Sequence, residues 1–476
     1  MRRFVVGVAC AVILGVAGRA GAQTLQPDPS YRDPEPTAPL SRVIPVAIAD
    51  GARLSDFRTR EEFRTAFVVG TDLSPITSLL NLGIAQQLTT FPVATSWGGS
   101  LDASKDGYTT GPVSRSSFAE RATTLGAGAV AFGFGQQSLH HEALDGLDIE
   151  DGGLKLFFQH NNCCSATGSP VAPGEVTDLT PEFERDLLEQ TLAVDIDRNV
   201  FGFVLEYGLT DRVDVGVTIP IVKVDIRTRV HSRILRTATE GDPSIHKFDP
   251  LELATRTTYA SGHARGLGDI VLRGKVGLVK TETGGIAAGV NVSLPTGDEV
   301  DLLGSGATRV EGKLIWSGQF GRVGAHLNAG YTYSDGGLAG ELVAPGDPNA
   351  AAASRPEFDL GLPDEIGVVG GVEVALARRV GISGDIIARQ LRDVWRFEAG
   401  TTNFPGRGPG PTGAPFAAVG DLQSLGKGNI TQLLTAIGMR VHLGGPLLLS
   451  GDVILPITDD GLTPKAGAVV GFSVAF

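Results

Sequence analysis

The last twelve residues of the chain alternate between two kinds of side chain and end on an aromatic residue. The apolar parity of residues 465–476 carries Ala466, Ala468, Val470, Phe472, Val474 and Phe476. Because successive side chains of a strand point to opposite faces, this segment predicts a strand with one apolar face. Such a strand at the end of a chain is typical of the closing strand of a bacterial outer-membrane β-barrel, whose apolar side faces lipid.

The same alternation continues through the chain from residue 126 onward. Ile270, Leu272 and Val276 fall on one parity, and Arg273 and Lys275 fall on the other. The connections alternate as well: tight turns near 208–212, 281–285, 320–322, 378–379 and 444–446 separate long polar segments at 145–187, 231–265, 297–308, 335–362 and 398–428. Short periplasmic turns opposite long extracellular loops are typical of a transmembrane antiparallel β-barrel.

Counting strands backward from residue 476 puts each strand on the expected side of its turn. The count predicts an all-β fold with about 12 strands. Their bounds are 127–142, 188–208, 213–230, 267–280, 285–296, 309–320, 323–334, 363–377, 379–397, 429–443, 446–458 and the closing strand. Residues 153–160 are then an extracellular hairpin arm. An alternative of about 14 strands puts them in the wall with a further strand near 107–124.

Two neighbouring strands change the parity of their apolar residues. The change falls near Pro220-Ile221 in one strand and near Arg198-Asn199 in the other. A β-bulge near Pro220-Ile221 would restore the register of that strand. Because both changes lie at similar heights, we expect the two strands to leave the membrane and continue as an extracellular ribbon.

The amino-terminal region divides into three parts. Residues 1–22 have a basic start, a short apolar core and an A-x-A cleavage site, which predicts a signal peptide. Residues 23–45 are rich in proline and predict an extended linker. Residues 46–125 predict a periplasmic or plugging segment with one helix, which begins at Ser74-Pro75 and ends before Pro92. A small domain beside the barrel is the alternative. Residues 126–476 form the predicted barrel.

The net charge and the cysteines of the chain limit which molecules it could bind and which disulfides it could form. The formal charge of -13 argues against nucleic acid as a partner. Cys163 and Cys164 are adjacent, and a disulfide between neighbours would be strained and labile. An oxidised pair, two inert loop cysteines and a pair of metal ligands all remain open for these two residues.

Three motifs occur in order in the first half of the predicted barrel. They are Tyr207-Gly208-Leu209-Thr210-Asp211-Arg212-Val213, Gly266-Leu267-Gly268-Asp269-Ile270, and Leu294-Pro295-Thr296-Gly297-Asp298-Glu299 followed by Gly304-Ser305-Gly306. Together they resemble the family of outer-membrane barrel proteins named for the MetA pathway of phenol degradation, most clearly over residues 200–335. The resemblance implies a barrel that transports small aromatic or hydrophobic compounds. It supplies no catalytic residues.

The charged residues of the polar parity are the candidates for a functional lumen. They are Asp269, Arg273, Lys275, Glu311, Lys313, Glu373, Asp385, Arg389 and Arg440. Charges of both signs could line a water-filled path. They could equally form an ion-pair network that fills a narrow barrel.

Metal and catalytic sites have weaker signals. Asp298, Glu299 and Asp301 cluster in one loop, but their spacing is not that of an EF-hand, so a solvated loop is the simpler interpretation. A metal site from His140, His141 and His160 is a further alternative. The sequence has no nucleophile elbow, phosphate-binding loop or dinucleotide fingerprint, so we predict neither an enzyme nor a cofactor or metal. Ser305 and His326 are the residues to test for a barrel hydrolase.

These patterns together predict an outer-membrane channel for passive uptake of small, hydrophobic or aromatic compounds in a Gram-negative-type bacterium. Its expected partners are outer-membrane lipid, a small-molecule solute and the barrel-assembly machinery, which would recognise Phe476. The alternative is a non-transporting surface barrel whose long extracellular loops bind a partner.

Overall fold

The structure is a computed structural model. It describes residues 39–52, 54, 75–94, 117–159, 186–236, 246–248, 253–337, 361–404, 416–444 and 447–475. A short 3-10 turn (Leu40–Arg42) leads into helix α1 (Val43–Gly51), and helix α2 spans Pro75–Thr89. The strands are β1 (Val130–Leu144), β2 (Leu147–Asp148), β3 (Leu154–Gln159), β4 (Leu187–Thr210), β5 (Val213–Leu235), β6 (Thr255–Leu267), β7 (Ile270–Thr281), β8 (Gly284–Leu294), β9 (Ala307–Phe320), β10 (Val323–Gly336), β11 (Glu365–Ala377), β12 (Val380–Phe404), β13 (Phe416–Gly444), β14 (Leu447–Pro456) and β15 (Leu462–Ala475).

Twelve of these strands close an antiparallel barrel, which confirms the predicted fold. The ring runs from β1 through β4, β5 and β7 to β15, and β15 pairs back onto β1. Strand β6 continues the line of β7, because β5 pairs with β7 below residue 219 and with β6 above residue 220. Closure leaves no unpaired edge in the wall, as lipid requires.

The outer surface of the barrel is apolar. Outward-facing side chains exposed around the wall include Leu205, Val215, Leu272, Val290, Leu314, Leu327, Val372, Ile386, Ile437 and Val470. No helix among the described residues is long and apolar enough to cross a bilayer. A continuous apolar belt of this size needs lipid around it. The protein is therefore located in the outer membrane of a Gram-negative-type bacterium.

The tight turns all lie at one end of the barrel, which by the loop-length rule is the periplasmic end. At the opposite end, β4, β5, β6, β12 and β13 continue above the belt as paired ribbons. In 145–187 the extracellular arm predicted at 153–160 is present as β3, which pairs with β4. The segments 231–265 and 398–428, predicted as loops, contain strands as well. That part of the prediction was wrong because these strands no longer carry apolar residues on the outside.

The expected extracellular ribbon of β4 and β5 is present, but the bulge predicted near Pro220-Ile221 is absent. Strands β4 and β5 pair without a register shift from residue 187 to residue 208 of β4, and the even-numbered residues face inward throughout. What changes is the chemistry of each face. In the belt the outward positions are apolar, as at Leu205, whereas above it the inward positions are apolar, as at Val194, and the outward ones are polar, as at Asp195. The surroundings of the strand change from lipid to water, and its geometry stays the same.

The amino-terminal segment lies inside the barrel. Helix α1 packs against the inner faces of β4, β5 and β6 above the belt, where Ile44 and Ile48 are buried. We expected an extended linker up to residue 45, but the chain is helical from Val43. Pro45 is tolerated because it lies in the first helical turn, where the backbone N–H has no partner in the helix.

Helix α2 begins at Pro75, as predicted, but it is not buried on one face alone. Polar residues such as Ser78, Asn81 and Gln87 are buried together with Leu80 and Leu88. The barrel wall surrounds the helix, with contacts to β12, β13 and β15. Gln86 donates a hydrogen bond to the carbonyl of Gly361 at 2.6 Å. Residues 117–125 lie near the periplasmic end, where the hydroxyl of Thr124 donates to the carbonyl of Asp211 at 2.8 Å, in the turn between β4 and β5.

Candidate functional site

Residues 117–125 follow the inner wall near the periplasmic end and supply partners for inward-facing charges. The carboxylate of Glu120 pairs with Arg273 and, at 2.8 Å, with Lys313. Burial acts to raise the pKa of Glu120, but the two cations outweigh it and hold the pKa well below its usual value. Arg121 pairs with Glu373. These ion pairs tie the inner segment to the wall.

The same segment is anchored at two further points of the wall. The ammonium of Lys275 donates to the carbonyl of Thr123 at 3.0 Å and pairs with Asp214 at 3.2 Å. Asp214 in turn accepts the backbone N–H of Leu125 at 3.0 Å. The inner segment is therefore held through both its side chains and its backbone.

Arg440 forms the most deeply buried pair of the lumen. Its Nη2 lies 2.8 Å from Oδ1 of Asp452, and both side chains are 0% exposed. The hydroxyl of Ser117 donates to the other oxygen of Asp452 at 2.7 Å and accepts from Arg440 at 3.0 Å. Removing one charge would leave the other without compensation in a site that water does not reach.

His326 bridges two carboxylates of neighbouring strands. Its Nε2 lies 2.6 Å from Oδ1 of Asp385, and its Nδ1 lies 3.9 Å from Glu373. Gly371 makes this contact possible, because a Cβ at that position would overlap the Asp385 carboxylate and would lie 2.8 Å from Nε2 of His326. Glycine is required at position 371 because the Asp385 carboxylate and the His326 ring approach its backbone closely.

Asp269 interrupts the line of β6 and β7 and organises the loop 295–306. One carboxylate oxygen accepts the N–H of Gly297 at 3.0 Å, and the other accepts the N–H and the hydroxyl of Ser305 at 2.8 and 2.6 Å. The hydroxyl of Thr296 donates to the carbonyl of Gly268 at 2.8 Å. The second and third sequence motifs therefore meet in one hydrogen-bonded cluster, which directs the loop toward the lumen.

The chain leaving helix α2 crosses the middle of the lumen. Nη2 of Arg389 donates to the hydroxyl of Thr90 at 3.1 Å and to Glu365 at 3.3 Å, and its guanidinium carbon lies 5.9 Å from the ring centre of Phe91. Gln137 of β1, four strands from β12 around the wall, donates to the carbonyl of Pro92 at 2.9 Å. Contacts with both parts of the wall therefore hold this stretch in position.

A cavity of about 270 Å³ lies between this crossing stretch and the wall. Its charged lining comes from Arg198, Asp269, Arg309, Glu311, Lys313, Glu365 and Arg389. Its apolar lining comes from Phe91, Val93, Phe118, Val222, Leu303 and Ile387. Concave sites with an apolar body and a few polar groups are typical of small-molecule binding.

All nine charged residues singled out in the sequence point inward. Asp269, Glu311, Lys313 and Arg389 line the cavity, and the other five contribute to the ion pairs described above or to the His326 bridge. No sequence pattern marks Glu120, Arg121 or Arg198 as functional residues. Glu120 and Arg121 belong to the inner segment, whose charges show no strand parity, and Arg198 lies where the apolar residues of β4 change parity.

The predicted metal candidates do not converge. Oδ1 of Asp298 accepts the backbone N–H groups of Val300 and Asp301, and Asp301 accepts that of Leu40 at 3.0 Å. These carboxylates therefore accept hydrogen bonds from the loop backbone and from the start of the amino-terminal segment.

Among the histidines, His140 lies outside the barrel and His141 inside. His140 is close enough to Asp195 and Asp197 for the three to share an ion, but Arg227 already pairs with both carboxylates. His160, Cys163 and Cys164 lie outside the described residues.

Ser305 and His326 do not form a catalytic pair. The hydroxyl of Ser305 bonds to Asp269, and His326 bonds to Asp385. Each side chain serves a separate structural contact in the wall.

No protein-family model matches the chain, and no curated protein matches it. Among solved structures, the chain is similar to the COG4313 outer membrane channel from Pseudomonas putida F1, with 9% identity, a TM-score of 0.38, and coverage of 75% of this chain and 98% of that one. It is also similar to a Pseudomonas aeruginosa FadL homologue (11% identity, TM-score 0.31, 73% and 90% coverage). The P. putida toluene transporter TodX has 9% identity, a TM-score of 0.30, and 73% and 90% coverage. Likenesses at this level carry no conclusion about function.

Proposed function

We propose that this barrel is an outer-membrane channel for passive uptake of small, hydrophobic or aromatic compounds, and that it belongs to the family its motifs resemble. The observation that carries the proposal is the cavity inside the closed wall. Its apolar side, with Phe91, Phe118 and Ile387, suits an apolar solute, and its charged side belongs to a polar lumen. Phe476 serves recognition by the barrel-assembly machinery during insertion.

A substitution that fills the cavity tests the proposal. A Cβ at Gly367 would find its nearest neighbour, an oxygen of Glu365, at 4.0 Å, so Gly367→Trp would project a large side chain into the lumen without a backbone clash. We expect this variant to reduce liposome swelling and single-channel conductance to less than about half of the wild-type values, because the ring takes up volume on the solute path.

Gly312→Trp is the matched control. Gly312 is exposed on β9, and a Cβ there has no atom within 4 Å, so the same side chain would face lipid. Its swelling rate should equal that of the wild type. A wild-type barrel that neither conducts nor swells liposomes, or equal swelling rates for the wild type and Gly367→Trp, would contradict the proposal.

A further inference from the structure

Arg198 is a buried cation that forms no ion pair with a carboxylate among the described residues. Its side chain points inward from β4 into the cavity and is 4% exposed. Within the described part of the chain, its Nε and Nη1 atoms have no hydrogen-bond partner. A buried guanidinium without an acceptor is costly, so this position calls for an anion.

A second guanidinium faces the same space. Arg389 uses Nη2 for Thr90 and Glu365, whereas its Nε and Nη1 have no hydrogen-bond partner within the described ranges. The carboxylate of Asp269 attracts Arg198, whereas the positive charge of Arg389 repels it across the cavity. An anion placed between them would relieve this repulsion and accept the remaining N–H donors of both side chains.

The carboxylates of the cavity are already engaged. Asp269 holds the loop 295–306, Glu365 accepts from Arg309 as well as Arg389, and Glu311 accepts from Asn291 and Lys313. The cavity lining has four cationic side chains and three carboxylates. Arg309, Lys313 and Arg389 each form an ion pair with a carboxylate, whereas Arg198 forms none within the described part of the chain.

The geometry points to a binding site for small monocarboxylic acids with an apolar or aromatic body. We propose that the carboxylate lies between Arg198 and Arg389, and that the body packs against Phe91, Phe118 and Ile387. Pockets for drug-sized ligands usually measure about 300–1,000 Å³, so a cavity of about 270 Å³ suits a smaller acid. The inference rests on the proposed function, since it names the solute class of the same cavity.

Benzoate and its neutral isostere benzamide test this assignment on the full chain folded in detergent. Calorimetric titration of the wild type should show benzoate binding at least about tenfold more tightly than benzamide, because hydrogen bonds to charged groups are worth at least that factor. Equal affinities, or no binding of benzoate, would overturn the assignment. This comparison needs no variant and is independent of any folding defect.

Variants then locate the site. Arg198→Gln should abolish the preference for benzoate, and Arg198→Lys, which keeps the charge, should retain part of it. Arg227→Gln removes an outward-facing arginine of β5 that does not line the cavity, and it should leave both affinities unchanged. An unchanged preference in Arg198→Gln or its loss in Arg227→Gln would place benzoate elsewhere and overturn the proposal.

The two proposals can fail separately. If liposomes swell in a neutral solute but benzoate and benzamide bind equally, the proposal of a channel is supported and the proposal of a carboxylate site is wrong. If benzoate binds with the expected dependence on Arg198 but the barrel passes no solute, the carboxylate site is supported and the proposal of transport is wrong.

Discussion

The same two strands, β4 and β5, are built in opposite ways below and above the membrane surface. At the upper edge of the belt, Phe201, Ile221 and Leu267 lie side by side on the outside of β4, β5 and β6. Two residues higher, the outward neighbours are Asn199, Lys223 and Arg265. The backbone register is continuous across this step. Alternation of side chains therefore shows only that a segment is a strand. Which of the two alternating sets of residues is apolar shows whether lipid or water lies outside the barrel at that height.

The interior is inverted in the same way. Inside the belt the wall carries charges such as Arg440 and Asp452, which pair with each other and with the inner segment. Above the belt the interior is an apolar core in which Ile226 and Val194 belong to the same buried cluster as Ile48 of helix α1. The upper part is thus organised like a water-soluble domain, and the lower part like a membrane protein with a polar lumen.

The largest effect should come from breaking a charge pair inside the belt. Asp452→Ala leaves the guanidinium of Arg440 buried without its carboxylate, so we expect a loss of about 3–5 kcal/mol of unfolding free energy. Urea titration in lipid vesicles with heat-modifiable gel migration measures it. Asp225→Ala, which removes an outward partner of Lys223 above the belt, is the control and should cost far less. Equal losses in the two variants would mean that the lower interior is as wet as the upper surface.

The second effect concerns the apolar interior above the belt. Ile226 is 1% exposed and faces inward on β5, so Ile226→Ala should cost about 2–5 kcal/mol through lost burial and a cavity. Hydrogen exchange should increase in helix α1 and leave the belt strands unchanged. Arg229→Ala, on the exposed outer face of the same strand, should change neither quantity. A loss of protection in the belt instead would show that the two halves unfold as one unit.

The sequence was sufficient for the lower half of the molecule. Alternation around Ile270 and Val276, together with the tight turns, predicted the twelve strands and which of their residues point outward. This works because every second residue of a membrane strand faces lipid and must be apolar. Above the belt it predicted the extracellular ribbon of β4 and β5, but it also predicted a bulge near Pro220 that is absent. Alternation alone does not say which side of a strand faces water, so the exchange of the apolar face suggested a change of register.

The site was predictable only in part. The inward charges follow from strand parity, but their partners Glu120 and Arg121 lie on an irregular segment, whose contacts depend on the closed barrel around it. Nothing local marks Arg198 as a cavity residue, since the cavity is formed by strands and a helix end that are distant in the chain.

The third prediction tests the lipid-facing side directly. Leu205 is 47% exposed on the outside of β4 within the belt, so Leu205→Lys places a charge in lipid and should cost up to about 2–4 kcal/mol, the most near the midplane. Thr257→Lys adds the same charge to the exposed face of β6 above the belt and should be close to neutral. Unfolding in vesicles of defined thickness measures both. A neutral Leu205→Lys would mean that the belt is not embedded.

The smallest effect should come from Arg227, which is the outward counterpart of Arg440. Both guanidiniums pair with aspartates, but Arg227 is 44% exposed and contacts Asp195 at 2.6 Å and Asp197 at 3.1 Å in water above the belt. Water and salt screen such pairs, so Arg227→Ala should cost no more than about 0.2–1 kcal/mol, and less at high salt. A double-mutant cycle of Arg227→Ala with Asp195→Ala, measured at low and high salt, isolates the coupling. A coupling free energy as large as the effect of Asp452→Ala and unaffected by salt would mean that β5 is as dry outside as the lumen is inside. The proposed exchange of apolar and polar faces between the lower and upper halves of the barrel would then be wrong.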